Sequence, residues 1–472
     1  MIRILAFCAL LITLKGNAAY DGPPQPVAKL LETYGIPQSA VSIEVREVNA
    51  EQSLLALNSD VPRNPASVIK ILTTLAALEL LGPTYQWNTH YLIDGKVKGN
   101  TLQGNLIMQG GGDPFLTVDR FWSHVLAIRE RGIDHIEGNF IIDNTLFTVS
   151  PHDRSAFDGK ALRLYNVGPD AALTNFSATR FVIEPRAGGI NVFADPPLAN
   201  LVISNKLAPE NGQCINRNSG WTMKLTRKDG QIHASFSGRY RPKCKAHSVS
   251  RSILSNLEYT YQLFRYLWQS MGGALTGGFG VAKVPETAEL LTTLPSRSLA
   301  ENIASINKFS NNVMARQLLL TIGSEWSVED SADTQAAGIE AVYEWLHSAG
   351  VDTAGMKIDN GSGLSRTSRI SVGQINQLLQ IAWNSTWRPE FLASFSLAAL
   401  DGTMRKRLKK TSLTGRARIK TGLINGVRSM AGYVHAENQR HYIVSMMIDS
   451  KKVNYWNGNQ VQDALLEWVF AL

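Results

Sequence analysis

Cysteine is scarce in this sequence, with three residues in 472, which excludes a disulfide-dense mini-protein. Its 38 glycines and 18 prolines form no low-complexity tract, so collagen-like and wholly disordered chains are excluded too. Beyond the first residues, no apolar run approaches the roughly 20 residues that a membrane-spanning helix needs. With 44% hydrophobic and 18% charged residues, the chain has a globular balance, and its length predicts two or three domains.

The start of the chain has the layout of a secretory signal peptide. Arg3 precedes an apolar run at residues 4–14, and small residues stand before Tyr20. We predict that residues 1–19 are removed and that the protein is exported to the periplasm. Lys15, directly after the apolar run, departs from this pattern and leaves a short membrane-anchoring helix as the alternative.

Removal of this leader would take Cys8 with it and leave Cys214 and Cys244 as a pair. We predict a disulfide between these two residues. It would close a loop of about 30 residues and stabilise the fold by about 3 to 4 kcal/mol in the chain-entropy model. Two buried free thiols are the alternative.

The formal charge of +8 does not indicate a nucleic-acid partner. The densest cationic run, at residues 405–410, has no aromatic side chain on which a base could stack. Other lysines and arginines are dispersed along the chain. A solvated basic surface explains the run.

The texture of the chain changes twice along its length. Residues 40–48 alternate in period two and, with residues 54–57, predict an edge hairpin. Residues 67–81 predict a helix that is apolar nearly all round and ends at Gly82. From about residue 89 to residue 281, short strands and turns predominate. Strands are predicted at 139–143, 181–184, 190–193, 416–421, 429–436 and 441–448, and further helices at 298–307, 311–320, 336–349 and within 460–471. Because the two ends resemble each other and the middle differs, we predict one domain inserted into another.

Several familiar catalytic signatures are absent from the sequence. It contains no His-Glu-Xaa-Xaa-His, no cysteine pair with zinc spacing and no Gly-Xaa-Ser-Xaa-Gly. The nine histidines therefore support neither a metal site nor a Ser-His-Asp triad. Glycines 110–112 are followed by Asp113 and Pro114, which favours a tight turn over a phosphate-binding loop. No metal or organic cofactor is implied.

Ser67 is the candidate nucleophile, because it shares the first turn of a predicted helix with Lys70 at spacing i, i+3. Free backbone N–H groups and the helix dipole favour developing negative charge there. A neutral Lys70 amine could accept the Ser67 proton, and desolvation and nearby cations would favour that neutral form. Ser-Xaa-Xaa-Lys also occurs at residues 305–308, so a structural role is the alternative for the motif alone.

Two further motifs follow in the chain. Ser310-Asn311-Asn312 opens a predicted helix, so one hydroxyl and one amide could project into a shared cleft, with a helix-capping Ser310 as the alternative. Residues 305–307 also fit Ser-Xaa-Asn, but they lie inside the preceding predicted helix. Lys420-Thr421-Gly422 ends a predicted strand, where a cation and a hydroxyl can hold a carboxylate and glycine lets a substrate backbone approach. The order of the three motifs argues against chance.

The sequence resembles the penicillin-binding D-alanyl-D-alanine carboxypeptidases of the low-molecular-mass class C type, peptidase family S13. The long gap between Lys70 and Ser310 is typical of that type, which fills it with two inserted domains, whereas β-lactamases use far less. The resemblance also rests on residues 104–106, 111–114, 307–312, 361–366, 401–403, 420–422, 426–427 and 431–432.

The resemblance implies an α/β (α+β) fold. Residues 20–88 and 285–472 would form a β-lactamase/transpeptidase-like catalytic domain, in which an antiparallel sheet lies between helices. Residues 89–284 would form a β-rich insertion that makes up two additional domains.

The resemblance also implies roles for individual residues. Ser67 would be the acyl-enzyme nucleophile and Lys70 its proton acceptor. Ser310 would relay the proton to the leaving D-alanine. Asn312 would hold the acylated side of the peptide.

The remaining implied roles concern the Lys-Thr-Gly segment. Lys420 and Thr421 would bind the terminal carboxylate, beside Gly422. The backbone N–H groups of Ser67 and Leu423 would form the oxyanion hole. Leu423 stands where a serine is common in the family, and since its N–H carries the role we discount the change.

The function implied is that of a periplasmic serine-type D-Ala-D-Ala carboxypeptidase. Its substrates would be peptidoglycan stem peptides, its inhibitors β-lactams that acylate Ser67, and DD-endopeptidase activity on cross-links is a further implication. A β-lactamase is disfavoured, because class C β-lactamases place a tyrosine where Ser310 stands. A non-catalytic peptidoglycan-binding scaffold would not need Lys70, and an esterase would not need Lys420 to face a carboxylate. A homodimer and membrane association are left open.

Overall fold

The computed structural model of the protein describes residues 20, 22–326 and 333–472, so the predicted signal peptide lies outside the described residues. The helices are α1 Gln25–Thr33, α2 Lys70–Leu81, α3 Val118–Arg129, α4 Asn256–Ser270, α5 Leu299–Phe309, α6 Asn312–Trp326, α7 Thr334–Ser348, α8 Val372–Asn384, α9 Arg388–Ala393 and α10 Tyr455–Phe470. None of them is long and apolar enough to cross a membrane.

Nineteen strands are present in the described ranges. They are β1 Val41–Glu47, β2 Leu55–Leu57, β3 Asn88–Lys98, β4 Thr101–Gln109, β5 His135–Ile136, β6 Phe140–Asp143, β7 Thr179–Arg186, β8 Gly189–Asp195, β9 Leu201–Pro209, β10 Trp221–Lys228, β11 Gln231–Tyr240, β12 His247–Arg251, β13 Ala274–Leu275, β14 Phe279–Val281, β15 Glu289–Pro295, β16 Ser396–Leu397, β17 Ala417–Ile424, β18 Val427–His435 and β19 His441–Asp449.

One six-stranded antiparallel sheet unites the two ends of the chain, in the order β16-β17-β18-β19-β1-β2. The predicted edge hairpin is confirmed, since β2 pairs with β1 and ends the sheet. The three strands predicted near the C-terminus are confirmed as β17, β18 and β19. An antiparallel sheet with helices on its faces is the architecture that the resemblance implied.

Successive side chains of a strand point to opposite faces of the sheet. In the central strands the side chains on both faces are buried. On one face, Ala431 and Tyr433 of β18 pack in a core with α2, α5, α6, α7 and α8. On the other face, Met430 and Val434 pack in a core with α1 and α10. Helix α2 therefore lies inside the molecule, which explains its nearly uniform apolar surface.

The middle of the chain builds three further sheets. Seven strands form one of them, in which β15 closes the edge beside β3. Two three-stranded sheets, β10-β11-β9 and β12-β7-β8, share a separate apolar core. A disulfide joins Cys214 to Cys244, and Cys244 is buried in that core. The seven-stranded sheet runs to Pro295, past the predicted boundary at residue 284, and the division into domains stays a prediction.

Two long helices in this middle region were not predicted. Helices α3 and α4 pack against the seven-stranded sheet, with Phe121, Tyr259 and Phe264 in the shared core. Helix α4 is rich in tyrosine, phenylalanine and tryptophan, whose intrinsic preference is for strands. Burial of its aromatic face against the sheet overrides that preference.

Candidate active site

Ser67 lies in a 3-10 turn, Ala66–Ile69, that leads directly into α2. The turn starts from a left-handed residue, Ala66, with φ of 45°, and the Ala66 N–H donates to Asn64 Oδ1 at 2.9 Å. The predicted helix is therefore divided into a tight turn and an α-helix. Lys70 is the first residue of α2, and its Nζ donates to Ser67 Oγ at 3.0 Å.

The Lys70 amine is fully buried and surrounded by hydrogen-bond acceptors. Besides Ser67, it donates to Asn312 Oδ1 at 2.7 Å and to the backbone carbonyl of Ser362. Among the described residues it forms no salt bridge. Burial, with the positive charges of Lys420 and Arg316, holds the pKa of Lys70 well below its usual value of 10.5. The neutral amine that can accept a proton is thereby favoured.

Ser310 occupies the junction between α5 and α6, in the left-handed conformation with φ of 56°. The helix-capping alternative for Ser310 is wrong, because the N-terminal N–H groups of α6 at Val313 and Met314 donate to Asn311 Oδ1. Ser310 Oγ instead accepts a hydrogen bond from Lys420 Nζ at 3.0 Å. The Ser310 hydroxyl therefore does not cap α6, and it is available to take part in a reaction at the site.

The second Ser-Xaa-Asn sequence, at residues 305–307, lies inside α5, as predicted. Asn307 is fully buried, and its Nδ2 donates to Thr74 Oγ1 at 3.0 Å and Ser394 Oγ at 2.9 Å. This asparagine ties α5 to α2, so its role is structural.

Lys420 and Thr421 lie on β17, beside the turn that carries Ser67. The Lys420 amine is fully buried, and burial lowers its pKa to about 7. Its Nζ also donates to the Thr421 carbonyl at 2.9 Å. Thr421 Oγ1 donates to Thr403 Oγ1 at 2.9 Å, so a second threonine hydroxyl joins the site. Thr403 belongs to the 401–403 segment that we noted without giving it a role.

Gly422 is needed for the close approach of β17 to the turn Ala66–Ile69, which carries Ser67. A Cβ on this residue would lie 2.1 Å from Ser429 Oγ, 2.8 Å from the Pro65 carbonyl and 3.0 Å from the Ser67 backbone nitrogen. Ser429 Oγ donates to the same Pro65 carbonyl at 2.5 Å and fastens the turn to β18. The strand backbone therefore lies directly against the Ser67 N–H.

These groups open into a cleft of about 310 Å³. Apart from Leu423, its lining consists of side chains that carry hydroxyls, cations or an amide, with no aspartate or glutamate among them. The lining residues are Ser67, Ser310, Thr403, Arg407, Thr421, Leu423, Arg428, Tyr455 and Asn459.

The structure brings the sequence-predicted residues together, but at different depths. Ser67, Ser310, Thr421 and Leu423 line the cleft itself. Lys70 and Lys420 are wholly buried behind the two serines. Asn312 joins them through its hydrogen bond to Lys70.

Sequence reasoning missed the cationic wall of the cleft, which consists of Arg407 and Arg428 with Tyr455 and Asn459 beside them. Arg428 could have been found by counting across the hairpin, since it pairs with Leu423. Tyr455 and Asn459 belong to α10, far along the chain, and no local pattern marks them. Arg407 lies in the cationic run that we interpreted as a solvated surface; that interpretation is wrong for Arg407, which is 7% exposed and bonded to Asp463.

The arrangement suits acyl transfer. A serine hydroxyl contacts a lysine amine that is disposed to be neutral, and a second serine hydroxyl contacts a second lysine. The Lys420 cation and the Thr421 and Thr403 hydroxyls can receive a carboxylate. No group of three or more His, Cys, Asp or Glu side chains in the described part of the chain could hold a metal ion.

Comparison with known proteins agrees with this chemistry. Residues 24–472 match the model of the D-Ala-D-Ala carboxypeptidase 3 (S13) family. A D-alanyl-D-alanine carboxypeptidase of Actinomadura sp. (strain R39) is 27% identical over 391 residues, which cover 78% of this chain and 70% of the relative.

Solved structures share the fold. Penicillin binding protein 4 (dacB) from Haemophilus influenzae superposes with a TM-score of 0.76 at 20% identity, covering 94% of this chain and 99% of that one. The same protein complexed with a β-lactam gives 0.71, at 20% identity over 95% and 98% of the two chains. The Bd0816 predatory endopeptidase of Bdellovibrio bacteriovorus gives 0.53, at 14% identity over 91% and 93%. Because the family model spans nearly the whole described chain, this protein belongs to the D-Ala-D-Ala carboxypeptidase 3 (S13) family.

Proposed function

We propose that this family member hydrolyses the D-Ala-D-Ala end of peptidoglycan stem peptides through an acyl-enzyme on Ser67. One observation supports this above all others. The Lys70 amine lies 3.0 Å from Ser67 Oγ, in a buried pocket where no carboxylate of the described residues holds its proton. Burial of an amine without a counter-ion destabilises the fold, and a non-catalytic scaffold protein would gain nothing from it.

Acylation begins when Lys70 Nζ takes the Ser67 proton and Oγ attacks the carbonyl carbon of the penultimate D-alanine. The oxyanion of the tetrahedral intermediate accepts hydrogen bonds from the backbone N–H groups of Ser67 and Leu423. Ser310 then donates its proton to the nitrogen of the leaving D-alanine, and the C–N bond breaks. The Lys70 ammonium restores the proton to Ser310 and becomes neutral again.

Deacylation needs one water molecule. Neutral Lys70 takes a proton from this water, whose oxygen attacks the ester carbonyl, and the Ser67–acyl bond breaks as Ser67 Oγ regains that proton. Asn312 orients the acylated side of the peptide during both steps. Lys420 and Thr421 hold the carboxylate of the leaving residue before the first step.

The same site accommodates a DD-endopeptidase reaction, in which the leaving amine belongs to a cross-linked peptide. The Bd0816 endopeptidase, with the same fold, supports this extension. The substrate is cell-wall material, so the proposal includes export through the signal peptide at residues 1–19 and a periplasmic location. The H. influenzae structure that holds a β-lactam supports the further proposal that penicillin acylates Ser67.

The test is to incubate the purified mature chain with a labelled penicillin and to measure its intact mass. We expect a stable one-to-one adduct on the parent and none on Ser67→Ala. Ser305→Ala is the matched control, because it removes the serine of the second Ser-Xaa-Xaa-Lys sequence, and it should carry the adduct. A folded parent without an adduct would contradict the peptidase and favour a binding scaffold. Rapid turnover of the drug would identify a β-lactamase.

A further inference from the structure

An arginine stands opposite the position where this chain departs from its family. Leu423 follows Lys-Thr-Gly and supplies no hydroxyl to the cleft, although its side chain is 49% exposed there. Its antiparallel partner on β18 is Arg428. Directly opposed residues of an antiparallel pair place their side chains on the same face of the sheet. Both side chains consequently line the same cleft as Ser67 and Thr421.

The Arg428 side chain is held from behind, and part of its hydrogen-bonding capacity is unused. The residue is 3% exposed. One terminal nitrogen donates to Asn459 Oδ1, and the guanidinium lies over the Tyr455 ring at 5.3 Å from its centroid. The other terminal nitrogen reaches the Gly422 carbonyl only at 3.5 Å, and Nε has no partner among the described residues. Helix α10 thus orients a guanidinium that retains free donors.

The charge of Arg428 is also unpaired. Within the described ranges it forms no salt bridge, and no acidic residue lines the cleft. Asp463, whose charge is felt at Arg428, accepts two hydrogen bonds from Arg407 instead. Burial and the charge of Arg407 lower the pKa of Arg428 to about 10, so it remains a cation at neutral pH. A buried cation without a counter-ion is unfavourable, and an anionic ligand would relieve it.

We infer that Arg428 is a carboxylate-binding residue, which receives the free carboxylate of the leaving residue together with Thr421 and Thr403. The planar guanidinium matches the two oxygens of a carboxylate. Arg428 would thereby replace the hydroxyl that position 423 lacks. This inference rests on the proposed function, because the leaving D-alanine supplies the carboxylate.

The first experiment compares two acyl-D-alanyl thioesters, one with a thioglycolate leaving group and one with neutral thioglycolamide. The parent should prefer the thioglycolate. In Arg428→Gln, kcat/KM for the thioglycolate should fall about 10- to 100-fold, chiefly through KM, because a hydrogen bond to a charged group is lost. The value for the amide should stay within about twofold of the parent. Arg418→Gln, on the same sheet but outside the cleft, is the matched control and should behave as the parent.

A second pair of variants avoids removing the buried arginine. Leu423→Asp, at a half-exposed position, would place a carboxylate opposite Arg428 and occupy the anion site from within the chain. We expect its thioglycolate preference to disappear and its melting temperature to rise. Leu423→Asn introduces a neutral side chain of the same shape as aspartate, and this variant should keep the thioglycolate preference. Leu423→Ser in the Arg428→Gln background should restore part of it.

The outcomes separate this inference from the proposed function. A parent that penicillin acylates, with a carboxylate preference that survives in both Arg428→Gln and Leu423→Asp, would overturn the inference alone. If Arg428→Gln fails to fold, the Leu423→Asp and Leu423→Asn pair decides the question. A folded parent that neither penicillin nor thioesters acylate would overturn the proposed function and the inference together.

Discussion

Two lysines with opposite tasks are buried in one site. In the proposed mechanism, Lys70 must lose its proton to accept one from Ser67, whereas Lys420 must keep its proton to attract a carboxylate. Burial favours the neutral form of both amines. The mutual repulsion of the two cations adds to the effect at Lys70. Lys70 therefore becomes neutral at a lower pH than a free lysine, and Lys420 can attract a carboxylate only while it remains at least partly charged.

This pair predicts the pH dependence of kcat/KM. Lowered pKa values mean that each amine loses its proton at a lower pH than a free lysine. Activity should rise with pH as Lys70 becomes neutral, and activity on the carboxylate substrate should fall above about pH 7 as Lys420 loses its charge. The measurement is kcat/KM between about pH 5 and 10 for the thioglycolate and thioglycolamide substrates. Only the thioglycolate should show the alkaline decline, and an equal decline for both would contradict the role of Lys420.

At the scale of elements, a glycine-rich loop at residues 361–366 supports the nucleophile turn, Ala66–Ile69, which carries Ser67. Asn64 Nδ2 donates to the Ser365 carbonyl at 2.9 Å, which links the residues before Ser67 to this loop. Gly363 has φ of 76°, and a Cβ there would lie 1.9 Å from the Ala66 carbonyl oxygen. The loop backbone thus packs directly on the turn and fixes the position of Ser67.

Gly363→Ala tests this support against Gly350→Ala. Gly350 has nearly the same φ, 72°, but nothing lies within 4 Å of its would-be Cβ. Both variants should lose about 1 to 2 kcal/mol of unfolding free energy from the left-handed backbone alone. Only Gly363→Ala should also displace Ser67 and slow penicillin acylation, by about 100-fold. Acylation rates and thermal melts measure the two effects, and equal acylation rates in the two variants would refute the support.

At the scale of the whole molecule, hydrogen bonds join the middle region to α6, which packs in the core on one face of the six-stranded sheet. Gln317 is fully buried, and it exchanges two hydrogen bonds of 2.9 Å with the backbone N–H and carbonyl of Asp170. Arg316 donates to the Val167 carbonyl at 2.8 Å. Since α6 also begins with Asn312, the middle region braces the helix that carries a site residue.

The disulfide lies in a different part of the middle region, in the core of the two small sheets. The double variant Cys214→Ser/Cys244→Ser should lose about 3 to 4 kcal/mol of stability, from the entropy of an unfolded chain freed of a 30-residue loop. Penicillin acylation per folded molecule should not change, because neither cysteine contacts the cleft. Denaturant unfolding and intact mass measure both. A fall in the acylation rate would show that the small sheets act on the active site.

Local patterns predicted the parts of the site that depend on few residues. The contact between Ser67 and Lys70 follows from i, i+3 spacing, which a 3-10 turn preserves as well as a helix does. The strand that carries Lys420 and Thr421 followed from local texture and the antiparallel sheet from resemblance, but β17 continues past the predicted end to Ile424. Ser310 was expected at the start of α6, but one left-handed residue moves it to the end of α5, which no spacing reveals.

The sequence by itself determined the family, the order of the three motifs and the strands and helices that carry them, because these depend on neighbours in the chain. Tertiary structure decided the cationic wall of the cleft, apart from the pairing of Arg428 with Leu423, which counting across the hairpin could have found. Arg428 faces the cleft because β17 and β18 pair in one register, and it is held there because α10 docks on that face of the sheet. Contacts between residues distant in sequence arise only when the apolar faces of the sheet are buried, so the assembled fold and no local pattern specifies them.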